Sequence, residues 1–363
     1  MIEDKFEDIF SFSTIYNAHK RGRISKRDKK SLVRFEIGNL SKLYDIFSKV
    51  KDGKFKIDRY NTFVIFEPKK REIQTLYYSQ RVVQHVICDD LLAPYFTRKA
   101  ILDNCVCQKG KGMHYALRRF EEKLKKFVHD NGQNGYVLKC DILKYFPSLS
   151  HRVLINCIAN EIKDERLKSM VVKIIQSFHT RPEFLQRYEI ERIEFEGDKT
   201  GRGVPIGNQT SQIFGMFYLD KLDRMIKEKF RVKIYSRYMD DFVIVHKDKK
   251  FLLTLLDVIK AELDKLDLKL NSRTQIFPLK NGLTYLGFRY QISKTGKLIK
   301  KVSNKTAKRF KRRARLIQIA YSEGFIDKAK VMQSLQAYHG HLMHGDCFKL
   351  EMKVSSPILK MIK

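Results

Sequence analysis

In the stretch SRYMDDFVIVH, residues 236–246, two carboxylates stand side by side at the head of an apolar run. Adjacent like charges raise the cost of ionising one another. Asp240 and Asp241 read either as a tight turn, whose backbone Asp tolerates, or as ligands of a divalent cation that makes the pair favourable. The second reading needs a third carboxylate on a neighbouring strand, and Asp141 supplies it at the end of the apolar run Tyr136, Val137, Leu138 and Cys140. Two divalent ions about 3.5–4 Å apart, bridged by carboxylates from separate strands, activate an attacking 3′-hydroxyl and neutralise the phosphoryl group being displaced. Asp141 and Asp240 are the expected ligands, Asp241 is a weaker ligand or a support behind them, and the backbone carbonyl of Ile142 adds an oxygen. Hard oxygen donors predict Mg2+, two ions per site, with Mn2+ as a substitute.

The elements that must position these residues follow from pattern. GYVLKCDILKYFPSL reads as a strand ending at Asp141, followed by a turn at Pro147 and Ser148. SRYMDDFVIVH reads as a hairpin, preceded by the loop VPIGNQTSQ and a long amphipathic helix, and followed by the helix FLLTLLDVIKAELDKL. The first 60 residues look helical and very basic. A hairpin around Pro68 and the corner Lys69-Lys70-Arg71 comes next, and then a helix over SQRVVQHVICDDLLAPYF that stops before Pro94. LTYLGFRYQISKTGKLIK is hairpin-like, and the chain from about Lys301 reads as helices.

Lys and Arg number 73 against 41 acids, a formal charge of +32, so the expected partner is a polyanion, nucleic acid before an anionic membrane. No apolar run approaches the roughly 18 residues of a spanning helix, and the acidic start MIEDKFEDIFSF is unlike a signal peptide. No membrane partner is expected, and the expected compartment is the cytoplasm. The six scattered cysteines, with one close pair at Cys105 and Cys107, read as free thiols in a reducing compartment. His339, His341 and His344 cluster without a matching Cys or carboxylate set, so no metal site is expected there. The densest positive charge is NKTAKRFKRRARL. Its Lys308, Arg309, Lys311, Arg312 and Arg313 form either a solvated helix face or a surface that grips a nucleic-acid backbone.

Taken in order, these motifs make the chain resemble the reverse transcriptases of bacteria and phages. The YMDD box (Tyr238 to Asp241), DILKYF roughly 100 residues earlier and a glycine-containing loop with its helix between them follow the family's order. EPKKREIQ with QRVVQH looks like the family's fingers motif and its helix, and LTYLGFRY looks like the primer-grip hairpin. The resemblance covers roughly residues 60–290. It implies an α+β right-hand polymerase fold with fingers, an antiparallel-sheet palm and a helical thumb. On that pattern residues 1–100 are an N-terminal extension and fingers, 101–290 the palm with an inserted fingers segment, and 291–363 the thumb. It also implies an RNA-directed DNA polymerase that uses dNTPs, template RNA and the cDNA product.

Roles follow for the matched positions. Phe146 falls where a ring stacks under the nucleotide sugar and excludes a 2′-hydroxyl, although a core aromatic would fit the same sequence. Lys69 and Arg71 would neutralise charge on the triphosphate, with Lys70 facing solvent. Arg81 holds template or fingers geometry, or is a helix-surface cation. Tyr285, Leu286 and Gly287 would hold the primer's end.

The loop VPIGNQTSQ departs from the family's pattern, in which Gln follows the Pro and Pro follows the Ser; here Ile206 and Gln212 stand in the dNTP-binding loop. An apolar Ile206 removes an amide contact and should loosen discrimination. This form, with LQAYHGHLMHGD in the tail, is similar to the reverse transcriptases of diversity-generating retroelements. That implies error-prone copying of a template-repeat RNA and a small basic accessory protein. The alternative within the family is a defence-associated (anti-phage) enzyme using a non-coding RNA. Outside it, a non-catalytic RNA-binding protein is opposed by the intact Asp141, Asp240 and Asp241, and an RNA-templated RNA polymerase by Phe146 and YMDD.

Overall fold

The computed structural model describes residues 1–57, 60–67, 69–191, 193 and 199–362. Its centre is a four-stranded antiparallel sheet of β3 (Tyr136–Asp141), β4 (Ile234–Tyr238), β5 (Asp241–His246) and β6 (Gln275–Pro278), in the order β4-β5-β3-β6. Side chains alternate across a strand, and here the alternation assigns each face to a different core. Leu138, Cys140, Tyr235, Phe242 and Ile244 enter one core, whereas Val137, Ile234, Val243 and Val245 enter the other. By the same alternation Lys139, Asp141 and Asp241 share the face of Val137 and Val243.

Each face is covered by a helix with a regular apolar stripe. On the first, Leu252, Leu255, Ile259 and Leu263 of the helix Lys249–Lys265 are fully buried. On the second, Leu117, Phe120, Leu124 and Val128 of the helix Met113–Asn131 recur at helical spacing. Burying each such side chain contributes about 1.5–3 kcal/mol, so both faces are firmly seated and the sheet's end is held in place.

The N-terminal helices Phe12–Gly22, Lys30–Glu36 and Asn39–Lys51 belong to the first core, together with the helix Tyr78–Val86. The latter differs from expectation at its end. It does not stop before Pro94 but passes through a π-helical segment, Ile87–Leu92, into a further helix Ala93–Lys99 with Pro94 in its first turn. Ala93 N–H donates five residues back to the Cys88 carbonyl, and it is this wider π-helical turn that accommodates the missing N–H of Pro94. The basic hairpin forms as β1 (Asn61–Ile65) and β2 (Arg71–Thr75), with Ile65 opposite Arg71; Pro68, expected at its corner, lies outside the described residues.

After β6 come β7 (Leu283–Tyr285), β8 (Phe288–Ile292) and β9 (Leu298–Val302), a three-stranded antiparallel sheet. The helices Asn304–Ser322, Lys328–Leu342 and Phe348–Met361 follow. The first two start on side-chain caps from Ser303 and Asp327. Phe310, Leu335, Tyr338 and Ile358 join Phe288 and Tyr290 in the second core, so this sheet and the C-terminal helices pack as one body on the central sheet.

Candidate active site

The antiparallel register places Asp141 of β3 directly opposite Asp241 of β5. Asp240 stands next to Asp241 in the two-residue turn that joins β4 and β5, where Tyr238 is opposite Asp241. A turn this tight requires unusual backbone, and Met239 adopts it, with φ of +58°. Sequence reasoning expected three carboxylates to converge from two strands and a turn, and the structure brings them together.

All three are held above their ordinary pKa. Burial is the first cause for each: it raises Asp141, raises Asp240 with help from Asp141, and raises Asp241 to about 6 with help from both neighbours. Opposing cations soften the effect. Arg273, Lys139 and Lys69 act on Asp141, and Lys69 and Arg71 act on Asp240. Lys139 lies 3.7 Å from Asp241 Oδ2, and its ammonium donates to the Thr284 carbonyl at 2.8 Å. The Oδ1 atom of Asp241 is buried with no hydrogen-bond partner among the described residues. An acidic cluster with raised pKa values and an orphaned carboxylate oxygen is the electrostatic state that a cation relieves.

The donor set fits divalent ions that bring their own waters and substrate phosphates. Among the described residues no three His, Cys, Asp or Glu side chains are grouped so as to hold a metal by themselves; Mg2+ keeps waters and substrate phosphates among its ligands. The local backbone ties run from Asn271 N–H to the Asp141 carbonyl at 2.7 Å and from Leu143 N–H to the Lys269 carbonyl at 2.9 Å. Neither uses the carbonyl of Ile142.

Lys69 and Arg71 sit exposed beside the β1–β2 hairpin, near enough to the acidic cluster to bias Asp240. Phe146 follows β3 in the short helix Tyr145–Ser148, and its ring fills the space where a Cβ on Gly215 would stand, 3.2 Å away. The Phe146 carbonyl accepts from Val204 N–H at 3.1 Å, which ties the loop VPIGNQTSQ to it. Ile206, half-buried, is tied to β2: Gln74 N–H donates to its carbonyl at 2.9 Å, and its own N–H donates to Gln74 Oε1 at 3.2 Å. Gly207, at φ of +136°, passes so close that a Cβ would meet the Gln74 carbonyl at 2.5 Å. Gln212 is exposed and accepts from the Cys107 thiol at 3.6 Å.

The hairpin around Leu286 and Gly287 forms as expected, with Tyr285 opposite Phe288. Tyr285 itself is a correction. Its ring is fully buried against Phe120, and its hydroxyl meets Ser236 Oγ at 3.1 Å, so its side chain is core and cannot touch a primer. Alternation along β7 turned it inward. The surface at the turn is left to Leu286 and Gly287. Of the basic tail residues, Lys308, Lys311 and Arg312 are exposed, whereas Arg309 and Arg313 are partly covered. Arg312 and Arg313 both pair with Glu67 at the end of the β1–β2 hairpin, Arg312 at 2.9 Å.

One positioning group escaped the motif reading. Arg237, beside the YMDD turn, is 0% exposed. It grips Asp223 with Nε at 2.7 Å and Nη2 at 2.5 Å, donates to the Met216 carbonyl at 2.8 Å, and reaches the Met239 carbonyl at 3.1 Å. Tyr235 also donates to Asp223, at 2.6 Å. A charged residue within a buried strand is the only signal the sequence carries for this clamp, because Asp223 stands on a different element.

The three carboxylates meet at one end of an antiparallel sheet, and the cations Lys69 and Arg71 act on the same cluster. A model of the reverse transcriptase (RNA-dependent DNA polymerase) family matches residues 77–290, more than half of the chain. The chain belongs to this family and has its right-hand polymerase fold. Protein YkfC of Escherichia coli (strain K12) is 22% identical over 216 residues, covering 49% of this chain and 52% of that protein. The chain thus spans about half the length of the curated relative it matches. Similar solved structures include apo telomerase from Candida tropicalis, at 13% identity, TM-score 0.45, 68% of this chain and 50% of that one. A form of it truncated from the C-terminal domain has 14% identity, TM-score 0.41, and coverage of 65% and 53%. No helix among the described residues is long and apolar enough to cross a membrane.

Proposed function

We propose that this protein is an RNA-directed DNA polymerase that extends a primer on an RNA template with dNTPs. The observation that carries the reading is Asp141 opposite Asp241, with Asp240 beside them and Lys69 and Arg71 acting on the same cluster. Two Mg2+ ions, when bound, would lower the pKa of the primer's 3′-hydroxyl and neutralise the displaced phosphates. Asp141 and Asp240 would hold them, with the Ile142 carbonyl as a further oxygen and Asp241 behind. Lys69 and Arg71 meet the triphosphate's charge, and Phe146 excludes a ribose 2′-hydroxyl. Primer extension with dNTPs and separately with rNTPs, with and without Mg2+, tests this. Asp240→Asn should abolish synthesis while folding and RNA binding persist; appreciable synthesis by that variant would falsify the assignment of the ligands.

Within the family the reading extends to error-prone copying of a template-repeat RNA, as in diversity-generating retroelements, with a small basic accessory protein as partner. Its support is Ile206, an apolar side chain on the loop that pairs with Gln74. One apolar contact discriminates by only about 1–3 kcal/mol, so wrong pairs enter often. Ile206→Gln should lower misincorporation, most of all opposite template adenines, when cDNA from both forms is sequenced on one template. Identical error spectra would remove this support and favour the defence-associated alternative.

A further inference from the structure

Phe146, the ring assigned to the nucleotide sugar, stands on a turn that cannot hold itself. The helix Tyr145–Ser148 is four residues long with Pro147 inside it, and its N-cap Lys144 is left-handed, at φ of +46°. A single helical turn has too few bonds of its own to be stable, and a left-handed backbone is costly for a residue with a side chain. What places Phe146 must come from outside the turn.

Two stretches supply it, residues 180–191 and 200–204. Together they receive every carbonyl from Phe146 to Leu149. Val204 N–H donates to Phe146 at 3.1 Å, Thr180 Oγ1 to Pro147 at 2.9 Å, Arg202 Nη1 to Ser148 at 2.9 Å and Gly203 N–H to Leu149 at 2.7 Å. Arg202 is the centre of this grip. It is 3% exposed, and it also donates to the Asp267 carbonyl at 2.9 Å and to the Glu191 carbonyl. One buried guanidinium thus joins the turn to the chain after the helix Pro182–Arg187 and to the loop after the helix Lys249–Lys265. Beside it lies a cavity of about 200 Å³, lined by Leu143, Ser148, Ile190 and Leu268 among others. The turn therefore has room to shift if Arg202 lets go.

The start of the turn is held by a side chain. Lys144 Nζ lies 4.1 Å from the centre of the Tyr188 ring and 5.8 Å from that of Phe184, within cation–π range of both. The two rings are 5.0 Å apart; Phe184 lies in the helix Pro182–Arg187 and Tyr188 ends it, and the buried Leu185 seats that helix. Ser148 Oγ adds bonds to the Leu143 and Lys144 carbonyls, at 3.0 and 2.9 Å. We propose that Arg202 and the Lys144–Tyr188 contact are positioning groups for Phe146 and together set how strongly the enzyme prefers dNTPs to rNTPs, an assignment that rests on the reading of Phe146 above. Each acts through the ring. A ring that excludes one hydroxyl works at van der Waals contact, so a small displacement opens the gate to a ribose while a deoxyribose still fits.

Single-nucleotide extension by the full chain on one primed RNA template, with Mg2+, gives kcat and KM for a dNTP and for the matching rNTP. Arg202→Lys keeps the charge but loses the planar fork, and Tyr188→Leu removes the ring. Each should lower the ratio of kcat/KM for dNTP to that for rNTP several-fold, whereas Tyr188→Phe, which keeps a ring, should retain the wild-type ratio. A merely structural role would weaken both substrates alike and leave the ratio alone. An unchanged ratio in either folded variant overturns the proposal. Should Arg202→Lys melt far below wild type, Tyr188→Leu, on the surface, decides alone. Phe146→Ala tests the gate separately, and should lower the ratio further than either variant. No change with Phe146→Ala removes the gate and the proposal with it. A change there and none in the other two leaves the gate standing and overturns the proposal alone.

Discussion

Asp241 is the residue whose environment is most at odds with its charge. Its carboxyl is raised from 3.8 to about 6, chiefly by burial, and one of its oxygens has no partner among the described residues. The folded chain therefore holds this proton more tightly than the unfolded chain does. Its contribution to stability falls as pH rises from about 4 to 6, and the full cost is present at pH 7. In the absence of divalent ions Asp241→Asn should stabilise the protein by about 1–2 kcal/mol at pH 7, a shift of roughly a few degrees in Tm. At pH 3, below both the folded and the unfolded value, the difference should nearly vanish. Melting curves of both proteins at the two pH values check this. A variant that gains stability while losing synthesis is the pattern expected of a site strained for function.

Among the elements, the β4–β5 hairpin depends on a clamp outside the catalytic motif. Arg237 joins the fully buried Asp223 to the Met239 carbonyl, and Met239 holds the left-handed turn that aims Asp240. Arg237→Met leaves a buried carboxylate unpaired and should cost about 3–5 kcal/mol; adding Asp223→Asn should restore much of that stability but not the activity. Arg237→Lys keeps the charge and loses the fork. A small displacement of the reacting groups can cost up to about 100-fold in rate, so kcat should fall while KM for dNTP and template affinity change little. A KM that rises as much as kcat falls would make the clamp merely structural.

At the scale of the molecule, the basic C-terminal helix does not stand free. Arg312 and Arg313 reach across to Glu67 of the β1–β2 hairpin, 245 and 246 residues away in the chain. Glu67 therefore occupies two of the cations expected to grip a nucleic-acid backbone. The pair is exposed, so Glu67→Gln should change stability by less than about 1 kcal/mol. It should tighten template binding and steepen the log–log salt dependence by about 0.7 for each cation released. Neutralising Lys308, Arg309, Lys311, Arg312 and Arg313 together should flatten that dependence, and titrations from low to moderate salt measure both.

The local features were legible in the chain alone because their causes are local. Asp141 at the end of an apolar run, Asp240 and Asp241 at a tight hairpin turn, and the Leu283–Tyr290 hairpin follow from periodicity and turn chemistry. The register that sets Asp141 against Asp241 was implied by chemistry but decided by cross-strand pairing. Other outcomes needed three dimensions. Alternation along a strand buries every second residue but does not say which face meets a core, so Tyr285 was read as a surface contact and proved internal. Arg237 finds Asp223 and Arg313 finds Glu67 only once distant elements pack. No local pattern encodes these meetings, because the energy that fixes them comes from burial of the helices and sheets that carry them.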